Sequence, residues 1–277
     1  MNKCLVTKLN GVVSNKNLIP LGCVAFTIYP SDNTLKLECE GNNVEYFTAN
    51  GEAIFSTDKS SYVNRISSGQ PVFVKTDKPT LAFISNKYEL TKVDIYDSKD
   101  NSQIDIDISD FKYCSKLKIC NITYFRTSTI GDISSLSSMT NLQTLNLEIT
   151  SVTGDISSLS SMTNLQTLNL EITSVTGDIS SLSSLTNLQK VELYNTSVSG
   201  DISSFNNMVK LSILKMGDTC TGYFKTLCNS LKDNGKTSGT LTFWSYNGQI
   251  KIDNQTNCPN NDVIATFSEG GISYSGL

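Results

Sequence analysis

The chain has 277 residues, 38% of them hydrophobic, with 22 Lys and Arg against 26 Asp and Glu and a formal net charge of −4. That is enough chain for one large domain or two modest ones around a real core. It contains no histidine, which excludes Ser-His-Asp and Cys-His nucleophiles, His-ligated zinc and histidine general bases. It also lacks any Lys/Arg run of the kind that lines a nucleic-acid stripe or meets an anionic membrane.

The opening MNKCLVTKLNGVVSNKN has no continuous apolar stretch and does not read as a secretory signal. No segment approaches the ~20 apolar residues of a membrane helix, so no membrane insertion is expected. Residues 1–105 carry short β-branched and aromatic runs at Cys23–Tyr29, Thr34–Cys39, Val44–Phe47, Pro71–Lys75, Leu81–Ile84 and Lys92–Tyr96, split by Asp-Asn, Asn-Gly and Ser-Gly turns. Such spacing predicts an all-β, sandwich-like N-terminal domain. The stretch DIYDSKDNSQIDIDISD (94–110) gathers aspartates without the spacing of a calcium loop. Its alternating Ile104, Ile106 and Ile108 instead predict a strand with one solvated face.

The repeats follow. Residues 131–153 read GDISSLSSMTNLQTLNLEITSVT, residues 154–176 repeat the string letter for letter, and residues 177–199 are a near copy. Degenerate copies precede them (107–130) and follow (200–221), so 106–221 is expected to form five coils of a solenoid. The central Leu-x-Leu (Leu145 and Leu147, Leu168 and Leu170, Val191 and Leu193) fits a short strand with one buried face. Gly131, Gly154, Gly177 and Gly200 suit a tight turn, and Asp132, Asp155, Asp178 and Asp201 suit N-caps. Ile156, Leu159, Met162 and Leu165 recur every three residues, which predicts 3₁₀ turns on the convex side. Thr150, Thr173, Thr196 and Thr219 are expected to form a hydroxyl ladder where each coil turns.

After Thr221 the period breaks. Tyr223–Lys232 predicts an amphipathic helix with Phe224, Leu227, Cys228 and Leu231 inward, and Thr240–Trp244, Gln249–Ile252 and Val263–Phe267 predict strands. Residues 222–277 therefore read as a C-terminal cap. The eight cysteines show irregular spacing and no C-x-x-C. Free, buried thiols in a reducing compartment are expected rather than disulfides or a metal site.

The pattern L-x-x-L-x-L-x-x-T resembles the leucine-rich-repeat family, with Thr at the usual Asn or Cys ladder position. The half V-x-G-D-I-x-x-L-x-x-L-T-N-L is similar to the plant-type subclass, with Ser134, Ser157 and Ser180 in place of proline. The resemblance implies an α/β leucine-rich-repeat solenoid, mostly β with short 3₁₀ convex turns, preceded by the β-rich domain. It further implies binding along the concave strand face. Outward positions there are Asn121, Thr144, Asn146, Glu148, Thr167, Asn169, Glu171, Lys190, Glu192, Tyr194 and Lys215, and Tyr194 is of the type enriched at interface hot spots. The opening NKCLVTKLNGVV followed by NLIPLG resembles the N-terminal segment of structural and appendage proteins of gut Bacteroidales phages and mobile elements.

Two further candidate chemistries fall away. NGKTSG (234–239) has Ser230 where a phosphate loop needs glycine, and a helix where it needs a strand. Glu148 and Glu171 recur in adjacent coils at about the ~5 Å separation of a retaining glycosidase pair. On an open concave sheet, however, nothing would exclude water or raise one pKa. A catalytic site, a metal site and a cofactor are therefore not expected.

The resulting expectation is a non-enzymatic binding protein that meets a protein or surface glycan through its repeat face. One form is a virion appendage (tail, baseplate or capsid fibre) that contacts a host receptor, joins other virion subunits through residues 1–105 and assembles as a homo-trimer. The alternative is a bacterial interaction module in the cytoplasm or on the cell surface.

Overall fold

A computed structural model describes residues 103–277, apart from 113, 124–128, 246–248, 255, 259–261 and 277. Of the first 102 residues only strand backbones are described, with side chains at 92–94 and then from 107 onward, 110 excepted.

The strands in the N-terminal region are β1 (Lys3–Cys4), β2 (Ile19–Pro20), β3 (Cys23–Tyr29), β4 (Leu35–Gly41), β5 (Glu45–Thr48), β6 (Gln70–Lys75), β7 (Leu90–Asp97) and β8 (Gln103–Asp107). Five of the six runs read from the sequence are thus strands, while Leu81–Ile84 lies outside the described residues. The concave strands follow as β9 (Ile119–Thr123), β11 (Thr144–Asn146), β13 (Thr167–Asn169), β15 (Lys190–Glu192) and β17 (Ile213–Met216). They alternate with convex-side strands β10 (Thr129–Ile130), β12 (Thr153–Asp155), β14 (Ser174–Asp178), β16 (Ser197–Asp201) and β18 (Cys220–Tyr223). Helix α1 (Phe224–Asp233), β19 (Gly239–Ser245), β20 (Ile250–Lys251), β21 (Val263–Ser268) and β22 (Gly271–Ser275) complete the chain.

One ten-stranded sheet runs β22-β21-β19-β17-β15-β13-β11-β9-β7-β4. Seven of its strands, β7 to β19, are mutually parallel. Two of these, β7 and β19, lie outside the recognisable repeats. In β7, Val93 aligns with Cys120 and is fully buried, taking the inward position that leucine holds in later coils. A second sheet, β12-β14-β16-β18-β20, lines the other side, and a third, β10-β8-β3-β6-β5, joins N-terminal strands to the first convex strand.

Between the two walls lies a continuous core. Leu145, Leu168, Val191, Leu214 and Phe243 stack strand over strand with no solvent exposure. Ile133–Leu136, Ile156–Leu159, Ile179–Leu182 and Ile202–Phe205 are 3₁₀ turns. Each is capped by the preceding aspartate, for example Asp178 Oδ1 accepting from the Ser180 amide at 2.7 Å. The three-residue hydrophobic spacing therefore made the convex wall legible.

The threonine ladder bonds the backbone where each coil turns, as the sequence predicts. The Thr150, Thr173 and Thr196 hydroxyls donate to carbonyls in their own coils, those of Leu147, Leu170 and Leu193, at 2.6–2.8 Å. Coils are tied to one another by asparagine: Asn141, Asn164 and Asn187 donate to the Ser115, Thr140 and Thr163 carbonyls at 2.8–2.9 Å. Serine hydroxyls add to these ties, Ser161 donating to the Ser137 carbonyl at 2.9 Å and Ser184 to the Ser160 carbonyl at 3.2 Å. Thr219 alone departs, donating back to the Val198 carbonyl of the previous coil.

Gly200 shows why each coil starts as it does. Its φ is +123°, and an added Cβ would lie 2.8 Å from both Asp178 Oδ1 and Ile179 Cγ1 of the coil before it. Gly235 has a similar φ of +109° with nothing within 4 Å. Gly200→Ala should therefore cost about 2–4 kcal/mol in urea unfolding and Gly235→Ala only about 1 kcal/mol, since the second carries backbone strain without the clash. Equal costs would show that close packing between coils is not what selects the glycine.

The cap closes the open end of the core. Phe224, Leu227, Cys228 and Leu231 of α1 are buried as their spacing predicts. Phe224 stacks on Phe243 with ring centroids 4.5 Å apart. Strand β22, which the sequence reading did not anticipate, pairs antiparallel with β21 and sets Tyr274 edge-on to Phe224. The described cysteines, Cys114, Cys120, Cys220, Cys228 and Cys258, are free and buried. Burial pushes the Cys120 thiol up to about 12, so it packs as a protonated hydrophobe.

Candidate binding face

The concave face is built from strand positions that alternate with the core leucines. Strand pairing aligns Asp94, Asn121, Asn146, Asn169, Glu192, Lys215 and Trp244 in one column. Lys92, Ile119, Thr144, Thr167, Lys190, Ile213 and Thr242 form a second. The 23-residue period places Glu148, Glu171 and Tyr194 in a third. The predicted residues thus share one sheet face, but they are not equivalent.

Toward the N-terminal end the face is a chain of amides. Asn121 donates to Asp94 Oδ1 at 2.7 Å, and Asn146 Oδ1 accepts from the Glu148 amide at 3.2 Å. Thr144 and Thr167 are half-buried. Toward the C-terminal end it becomes a network of charges. Asn169 donates to Glu148 Oε2 at 3.3 Å, and its own Oδ1 accepts from the Glu171 amide at 3.0 Å. Glu192 sits between two ammonium groups, Lys190 at 2.6 Å and Lys215 at 2.8 Å. Glu171 is 3.8 Å from Lys215.

This overturns the expectation of an open face from which nothing excludes water. Glu192 is 2% exposed, Asn169 3% and Glu171 9%. The Lys190 and Lys215 ammonium groups close on Glu192 from its own strand and from the next one. Burial pushes the Glu171 carboxyl up to about 7, with Glu192 and Glu148 adding repulsion and Lys215 and Lys190 opposing the rise. Lys215 is itself held above the ordinary lysine value. Burial pulls it down, but the hydrogen bond to Glu192 and the charges of Glu171, Glu192 and Asp262 outweigh that pull. Glu192 is therefore sealed within the face, whereas Lys190, Tyr194 and Lys215 are half-buried on it.

Trp244 was missed by sequence reasoning. It pairs in register with Lys215 and meets Tyr194 edge-on, with centroids 4.7 Å apart and planes at 88°. The only signal available was that the chain's single tryptophan stands in a strand just past the last repeat.

Asp107, in the acidic stretch before the repeats, caps a 3₁₀ turn by accepting from the Ser109 amide at 2.9 Å. The described residues hold no cluster of three potential metal ligands. Among the described residues, no helix is long and apolar enough to cross a membrane.

No protein-family model matches the chain, and no curated protein does. Solved structures match part of it. The plant peptide hormone receptor RGFR1 in complex with RGF2 is 23% identical over 52% of this chain and 22% of its own, with a TM-score of 0.42. Internalin C2 of Listeria monocytogenes is 23% identical over 60% of this chain and 74% of its own, at 0.38. A leucine-rich-repeat protein of Leptospira interrogans is 17% identical over 48% of this chain and 33% of its own, at 0.37. The chain thus spans about a fifth of the plant receptor. Its own coils, with parallel strands on one side, 3₁₀ turns on the other and an asparagine tie between them, are those of a leucine-rich-repeat solenoid.

Proposed function

We propose that this chain is a non-enzymatic interaction module that binds a protein partner through the concave face of its repeats. The carrying observation is the contrast along that face. Its middle coils repeat Thr144 and Asn146 as Thr167 and Asn169, whereas the C-terminal half gathers Lys190, Tyr194, Lys215 and Trp244 around buried carboxylates. Large amphipathic aromatics beside ordered charges are the composition of an interface hot spot. The carboxylates speak for binding rather than hydrolysis, because Glu192 is tied by two lysines, Glu148 accepts from the Asn169 amide and Glu171 faces Lys215 at 3.8 Å. The appendage role rests on residues 2–22, nearly all outside the described residues, and is not carried further.

The test is capture on immobilised protein, with retained proteins identified by mass spectrometry. The wild type should retain a defined protein that the Y194A/W244A variant loses by at least about tenfold, with both showing the same thermal transition. An unchanged retained set would sink the concave-face assignment. Retention of glycans from an array, lost in the same variant, would keep the face and change the partner.

A further inference from the structure

The C-terminal half of the concave sheet is an unpartnered sheet face whose charges do not balance. Three carboxylates, Glu148, Glu171 and Glu192, meet two ammonium groups, Lys190 and Lys215. Both lysines lie closest to Glu192, at 2.6 and 2.8 Å. That leaves Glu171 with Lys215 at 3.8 Å and Glu148 with the Asn169 amide at 3.3 Å. Among the described residues, Glu148 forms no ion pair.

These two under-neutralised carboxylates occupy the same position in adjacent coils, and Tyr194 holds that position in the next one. Tyr194 in turn braces on Trp244 at 4.7 Å. A carboxylate pair beside an aromatic ring complements a cation with an apolar stem, which gains ion pairing on one side and a ring contact on the other.

We infer that this face takes a basic side chain of the protein partner, its cation held by Glu148 and Glu171 and its stem laid against Tyr194. The inference rests on the interaction reading above and specifies the partner's chemistry. Arginine fits better than lysine, since its planar fork can bond two carboxylates and stack on a ring at once. The pocket is also proton-sensitive. Burial pushes Glu171 up to about 7, and Lys215, Glu192, Glu148 and Lys190 are the charged groups facing it. An incoming cation must therefore compete with a proton at neutral pH.

Trp244 is the only tryptophan in the chain, so its emission reports on this face. The probe is N-acetyl-arginine amide, with the neutral isostere N-acetyl-citrulline amide as control. At pH 8 the arginine probe should change Trp244 emission saturably, about tenfold more tightly than citrulline. The preference should shrink at pH 6 and vanish in E148Q/E171Q, whose thermal transition at pH 8 should not fall below that of the wild type. Equal response to both probes, or an arginine preference that survives E148Q/E171Q, would overturn the inference. If a protein partner is captured and lost in Y194A/W244A while the two probes behave alike, the interaction reading stands and the cation pocket falls. Arginine preference without a captured protein separates the two the other way.

Discussion

Phe243→Ala should remove about 3–5 kcal/mol from the unfolding free energy, the largest single loss expected in this chain. Phe243 is fully buried in β19 and stacks on Phe224, which is itself fully buried at the start of α1. The vacated volume is bounded by two rigid walls, the last parallel strand pair and the cap helix, so collapse into it is limited and the cavity cost persists. A solenoid is stabilised through contacts between neighbouring coils, and an end coil has a neighbour on one side only. The loss should therefore fall on the cap before the middle repeats. Trp244, next in sequence, should report a transition at lower urea than the far-ultraviolet signal of the whole solenoid. A single coincident transition with a loss under about 1 kcal/mol would show that the cap is not held through this stack.

Glu171→Gln should stabilise the protein at pH 8 and leave it nearly unchanged at pH 4.5. In the fold the carboxyl is pushed from 4.5 up to about 7, chiefly by burial. The native state therefore binds this proton more tightly than the unfolded state does. Stability from this group is fully present below pH 4.5 and falls as pH rises toward 7; above that it is flat, because both states have then lost the proton. At about 1.4 kcal/mol per unit, and with part of the penalty relieved by the lysines and by residual solvent, the wild type should lose about 1–3 kcal/mol across that window. Glutamine keeps the shape without the charge, so its curve should lack this descent. Urea unfolding at pH 4.5, 6 and 8 measures it directly. A variant less stable than wild type at pH 8 would mean that the 3.8 Å pair with Lys215 outweighs the desolvation.

Much of this was legible because the information is local and repeated. Identical letters at a period of 23 stack identical side chains, so Leu145 over Leu168 over Val191 follows from the spacing alone. The 3₁₀ turns follow from hydrophobic residues every third position, and their aspartate caps follow from side-chain length. Helix α1 and its four buried residues were likewise readable from one amphipathic run.

The condition of the binding face was decided elsewhere. Glu148, Glu171 and Glu192 look alike in sequence, all outward on a strand, yet Glu192 is nearly sealed from water while Glu148 remains half-exposed. Glu192 is held by Lys190 on its own strand, by Lys215 one coil on, and lies in register beside Asn169 one coil back. A one-strand pattern records the first of these and not the other two. Trp244 reaches Tyr194 across fifty residues of sequence because β19 extends the parallel sheet. Strand β7 joins the same sheet although its segment lacks the leucine spacing. The coil, its strands, its turns and its core are written in one period, because each depends on neighbours within it. Which outward groups are buried, paired or proton-sensitive depends instead on side chains that meet across coils, and that is a property of the folded solenoid.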